Sequence, residues 1–173
     1  MGNHEDLMAK AIQDEKEIPL WLYNGGEATL ESYGLNSRDW VRAKDREGTL
    51  PGFIDFYDTL LLYHEDDHAI YVHAGLDVSI ANLAEQDAQV LLWVRDKFFR
   101  NAAQWKGKPV YFGHTPTHTI GLPGGSIYTA GSFFGIDTGC VYGGCLTAID
   151  TKTHTLYQEP SDWDGYRFAN PTP

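Results

Sequence analysis

Two short apolar runs each stop at an imidazole with small residues around it: AIYVHAG at residues 69–75 and VYFGHTP at 110–116. Runs of this length, rich in β-branched and aromatic residues and closed by glycine or proline, read as strands. Between them, Val90, Leu91, Val94 and Phe98 recur at helical spacing in EQDAQVLLWVRDKFFRNA. Strand, helix and strand in that order point to layers of sheet and helix around an apolar core, the α/β class. A histidine just past a strand end projects into the cleft beyond the sheet, where open α/β sheets keep their ligand sites.

The rest of the chain fits this frame. Leu7, Met8, Ala11 and Ile12 form one apolar face over residues 5–17, an amphipathic helix that Asn3 could cap. WLYNGGEATLESYG predicts a turn at Asn24–Gly26 and a short helix ending at Gly34. SRDWVRAKDREG predicts a further helix with Ser37 as its cap, and LPGFIDFYDTLLLY a short helix running into a strand at Leu60–Tyr63. After a turn at Glu65–Asp67, HAIYVH is a buried strand. Beyond His118 the chain is β-like: SIYTAG, FFGIDTG, GGCLTAID and HTLYQEP, punctuated by glycine. The final SDWDGYRFANPTP is expected to pack along an edge or fray. The whole is expected to form one domain over 1–173, with a helical insertion at 18–60 capping the cleft.

Composition excludes several classes. With 42% hydrophobic and 13% aromatic residues, 173 residues suffice for a packed core. A formal net charge of −11 argues against nonspecific nucleic-acid binding, which needs basic surface. No apolar stretch is long enough for a membrane span, and the polar, acidic start has no signal-peptide pattern. Cys140 and Cys145 do not make a CxxC pair and are read as reduced thiols of a cytoplasmic protein.

A lone histidine is usually structural. His4, His73 and His114, read as standing at three equivalent strand ends, together point to a metal site. His64, His68, His118 and His154 lack that setting and are assigned to surface or packing roles. GNHE, YVHAGLD, VYFGHTP and GIDTGCVYGGCLTAID, in this order, resemble the second half of the metal-dependent phosphoprotein phosphatase family, the calcineurin-like metallophosphoesterases. The bacterial serine/threonine phosphatases are the most similar, WLYNGGEATLESYG included. The resemblance spans residues 2–150. It implies a metallophosphoesterase-like layered sheet-and-helix sandwich in which Asn3, His73 and His114 ligate the second of two divalent ions. It further implies that His4 protonates the leaving-group oxygen and that Arg95 grips the phosphate. Glu5 would either orient the His4 ring or stand as a helix-start carboxylate.

Two earlier motifs of the family, Gly-Asp-x-His-Gly and Gly-Asp-x-x-Asp-Arg-Gly, do not occur in this sequence. Asp55, Asp77 and Asp137 are flanked differently and make poor substitutes. The fold is therefore expected as an N-terminally truncated version of the family's, with an open sheet edge. Intact relatives would hold two ions, Mn²⁺ foremost; the neutral set here would hold one at most, with Zn²⁺, Ni²⁺ or iron as alternatives. Three functions stay open. The chain is a phosphoric monoester hydrolase acting on a phosphoprotein or a small phosphate ester, weak on its own; or a related hydrolase of diadenosine tetraphosphate type; or a non-catalytic binding module, with a homo-oligomer formed through the exposed edge.

Overall fold

The computed structural model describes residues 1–162, leaving aside the side chains at positions 96, 97 and 103. The chain divides into two compact units, one over residues 1–61 and one beginning at Leu62.

The first unit is helical. α1 spans Asn3–Gln13, and its apolar face buries Leu7, Met8, Ala11 and Ile12. Asn3 is its first helical residue, so Gly2 takes the cap position expected of Asn3; Glu5 reaches back to accept the Gly2 N–H at 2.9 Å. The helix stops four residues short of the expected end. Asp14 turns extended at φ −130°, ψ 122°, and the backbone tightens into a turn at Glu17. α2 (Ile18–Trp21) runs through a kinked turn at 22–26 into α3 (Glu27–Ser32). α3 ends with Gly34 at φ +73° while the Leu35 N–H returns to the Leu30 carbonyl at 2.9 Å, the closing pair of a Schellman cap. α4 spans Ser37–Arg42 and is capped by Asn36, one residue earlier than expected, whose Oδ1 accepts the Asp39 N–H. α5 covers Phe53–Tyr57. Leu30, Trp40 and Leu50 are buried at the centre, with the Trp21 and Trp40 rings 4.9 Å apart.

The second unit is built on a five-stranded sheet ordered β1-β2-β3-β5-β4. β1 is Tyr63–Glu65, β2 Ile70–Val72, β3 Val110–Phe112, β4 Tyr128–Ala130 and β5 Phe133–Gly135. β2, β3 and β5 run parallel; β1 and β4 flank them antiparallel as the edges. One face presents Ile70, Val72, Val110, Phe112 and Phe133 to a core shared with Leu91, Phe98 and Trp105. The other face carries a ladder of rings in register. His64, Tyr71, Tyr111 and Phe134 stack across four strands, with centroid spacings of 5.9, 5.8 and 4.9 Å. Such cross-strand pairs are the unit of sheet stabilisation, and they pin the register.

The expected single helix between β2 and β3 is two: α6 (Ala88–Trp93) and α7 (Asp96–Asn101). Neither Gly nor Pro interrupts it. The break falls at Arg95, at φ −131° and ψ −104°, where tertiary contacts override helical spacing. A second, two-stranded sheet pairs β6 (Cys145–Ile149) with β7 (Leu156–Pro160). Cys140 and Cys145 form no disulfide. No described helix is long and apolar enough to cross a membrane. Most of the C-terminal segment expected to pack or fray lies outside the described residues.

The β1–β2 and β6–β7 hairpin turns are each held by an aspartate. Asp66 Oδ1 accepts the backbone N–H groups of His68 and Ala69 at 2.7 and 2.8 Å, and Tyr71 donates to Oδ2 at 3.1 Å. Asp150 does the same for Thr153 and Lys152. These donors hold both carboxyls below their ordinary value of 3.8. The contribution to stability is therefore complete above 3.8 and is lost as the pH falls through the lower folded value. Amide exchange at residues 68–69 and 152–153, corrected for intrinsic rate, is expected to accelerate over that range. Asp66→Asn and Asp150→Asn should remove the dependence at their own turns.

Candidate functional site

The site grows from the pairing of β2 with β3. Tyr71 lies opposite Tyr111. Two residues further on, the Gly113 N–H donates to the His73 carbonyl at 2.9 Å, so the strands stay level past their formal ends. Side chains alternate along a strand, which would turn His114 to the face opposite His73. The chain avoids this. His114 takes φ +65°, and the Thr115 N–H closes on the Gly113 carbonyl at 2.7 Å. This is the three-residue γ-turn with its central residue at positive φ, the rarer and more strained of the two kinds. Such a conformation costs about 1–3 kcal/mol and gathers at functional sites.

The turn brings His73 Nε2 within 3.2 Å of His114 Nδ1, with the rings tilted at 56°. A proton between the nitrogens makes this a hydrogen bond. Two imidazole nitrogens at tetrahedral positions on one Zn²⁺ stand about 3.3 Å apart, given Zn–N bonds of about 2.0–2.1 Å. The pair thus fits a borderline cation as two of its ligands. The Trp93 ring meets His114 edge-on at 6.0 Å and walls one side.

Arg95 stands beside them because the helix breaks there. Its Nη1 donates to the His114 carbonyl at 3.0 Å and to Thr115 Oγ1 at 3.1 Å. The side chain is exposed, and Thr115 beneath it is buried. Gly75 makes room for the break: a methyl on its Cα would meet Val94 Cγ1 and Phe98 Cδ1, each at 2.9 Å. Thr115, Trp93 and Gly75 were not singled out by the sequence motifs. Thr115 follows His114 and Gly75 closes YVHAG, while Trp93 carries no sequence signal.

The structure therefore assembles His73, His114 and Arg95 within the second unit. Asn3 and His4 belong to the first unit. Asn3 is buried at the start of α1. His4 is exposed and, with Glu5, lines a cavity of about 300 Å³. The Glu5 carboxylate is engaged by the Gly2 N–H, a helix-start role.

The aspartates flanked differently from the family motifs are engaged locally. Asp77 Oδ1 accepts from the Ser79 N–H and hydroxyl, and Asp137 Oδ1 accepts the Gly139 N–H. Asp55 is exposed in the first turn of α5. Among the described residues, no three His, Cys, Asp or Glu side chains are grouped to hold an ion. Of the remaining histidines, His64 stacks on Tyr71, His154 packs tilted on Phe134 and His118 meets Tyr142 edge-on.

No family model matches the chain. A solved structure does: the crystal structure of a candidate diadenosine tetraphosphatase, with a TM-score of 0.60 over 94% of this chain and 67% of that one, at 16% identity. The two chains share a fold. It is the mixed α/β sheet-and-helix architecture expected from the strand and helix pattern.

Proposed function

We propose that the chain is a phosphoric ester hydrolase of metallophosphoesterase type, with His73 and His114 as cation ligands and Arg95 as the phosphate grip. The observation that supports this is the 3.2 Å approach of two imidazole nitrogens on a strained turn at the ends of adjacent parallel strands. A cation bound there supplies positive charge that draws electron density from a phosphoryl oxygen. Neutral nitrogen donors suit Zn²⁺ or Ni²⁺ better than Mn²⁺. Arg95 is steadied through Nη1 by the His114 carbonyl and Thr115. Its other N–H groups remain to fork onto two phosphate oxygens, a geometry lysine lacks. The assignment of Asn3 as ligand and His4 as proton donor rests on the GNHE motif.

The motif series favours a serine/threonine phosphoprotein as substrate. A second reading, hydrolysis of a dinucleoside polyphosphate, is favoured by the fold shared with the candidate diadenosine tetraphosphatase. In either case no group of three His, Cys, Asp or Glu side chains able to hold an ion is found among the described residues, so this polypeptide alone is expected to turn over slowly.

Calorimetric titration with Zn²⁺ and then inorganic phosphate tests the proposal. Arg95→Ala should weaken phosphate at least tenfold and leave Zn²⁺ affinity within about threefold. Phosphate binding indifferent to both zinc and Arg95 would overturn it.

A further inference from the structure

The parallel strands have a second end, away from the imidazole pair. Ile70 opens β2 and Lys108 lies just before β3, and both line a trough of about 660 Å³ whose lining residues all belong to the second unit. One wall is the loop 77–86. The buried Gln86 ties it: its Oε1 accepts the Asp77 N–H at 2.8 Å, and its Nε2 donates to the carbonyls of Asp77 and Ile80 at 2.9 and 2.8 Å. The other wall is the turn at 105–108. Trp105 Nε1 donates to the Lys108 carbonyl at 2.9 Å, and a methyl on Gly107 would strike the indole, so main chain lies against that ring. Both walls are thus fixed by the fold before anything enters, and the volume is within the range of small-molecule sites.

We infer that this trough binds a monocarboxylate with an apolar, chain-like body. Tyr63 and Val78, half-buried against the core, give that body an apolar floor, and the small Ala81 and Ala84 leave room beside it. The charges set the head group. Lys108 is engaged by Glu65 at 2.8 Å and by the Asp66 carbonyl at 2.7 Å. Lys106, on the same turn, is exposed and makes no ion pair among the described residues. One unopposed ammonium matches one negative charge, whereas a phosphate dianion would also meet the Glu65 carboxylate. An extended peptide is a poorer fit. The Asp66 N–H bonds the Ala69 carbonyl, so alternation along β1 leaves only Tyr63 and Glu65 with outward backbone groups, too few to seat an added strand.

Octanoate is the probe, with octylammonium as the same chain under the opposite charge. Saturation-transfer NMR on the whole chain, in EDTA and about 0.15 M salt to screen distant charges, should show saturable octanoate binding. Octylammonium should bind about threefold or more weakly. Lys106→Glu should erase or reverse that preference. Ala84→Trp, at an exposed wall position, should fill the trough and weaken octanoate by about tenfold or more. Lys152→Glu, outside the trough, should change neither. Far-ultraviolet circular dichroism checks that each variant is folded. No saturable binding at millimolar octanoate, equal binding of the two probes, or indifference to either trough variant overturns the assignment. So does a dimer in sedimentation velocity that Ala84→Trp dissociates, which would give the trough to a second copy.

Discussion

The His114→Ala chain is expected to bind Zn²⁺ at least a hundredfold more weakly than the parent, measured by competition against a chromophoric chelator. Removing a group that merely orients a ligand costs about 10–100-fold in metal affinity, and removing a ligand itself should cost no less than the upper end. The 3.2 Å contact with His73 makes the two imidazoles interdependent, so His73→Ala should lose a similar amount and the double variant little more. His114→Gly separates ligation from backbone strain. It lacks the imidazole as well, but glycine occupies φ +65° without steric cost. The glycine variant should therefore match the alanine variant in zinc affinity and exceed it in urea midpoint. Unchanged zinc binding in either variant would remove the basis for a metal centre at this turn.

Gly75→Ala is expected to give the largest loss of stability, about 2–5 kcal/mol from overpacking and backbone strain together. The residue sits at φ +153°, and the added methyl would meet ring and branched-chain atoms at 2.9 Å. Those atoms belong to Val94 and Phe98, on either side of Arg95, and Phe98 lies in the core against Phe112 and Phe133. Relief of the clash must move either the core ring or the segment that aims the guanidinium. Urea unfolding should show the lost stability, and phosphate affinity should fall with it. Gly121→Ala is the control. Gly121 has φ +86°, and a methyl added there would have no atom within 4 Å, so only backbone strain of about 1 kcal/mol applies. Equal midpoints for the two variants would show that packing under Arg95 is looser than described.

Much of the fold was legible because strand and helix periods differ. YVHAG and VYFGHTP read as strand ends, and the structure places β2 and β3 side by side with both imidazoles just beyond them. The Asn24–Gly26 turn was equally visible, since glycine pairs mark turns for a local steric reason. What was not legible is tertiary. Helical spacing ran unbroken through Val94 and Phe98, and nothing local announces that Arg95 leaves the helix to reach a carbonyl nineteen residues away. Likewise, a strand pattern alone would have put His114 on the wrong face. The positive φ that corrects it belongs to a non-glycine residue, where sequence offers no cue. Glu5 was ambiguous between two roles, and only the position of the Gly2 N–H distinguishes them.

The bend at His114 also bears on how fast and how tightly an ion can be caught. Flexible side chains must be immobilised before they can chelate, and that loss of freedom subtracts from affinity. Here the backbone turn, the Gly113–His73 bond and the guanidinium clasp on the His114 carbonyl complete that immobilisation during folding. For the ligation proposed above, capture would then cost the proton held between His73 Nε2 and His114 Nδ1 and the water of the incoming ion, with little further ordering of the backbone.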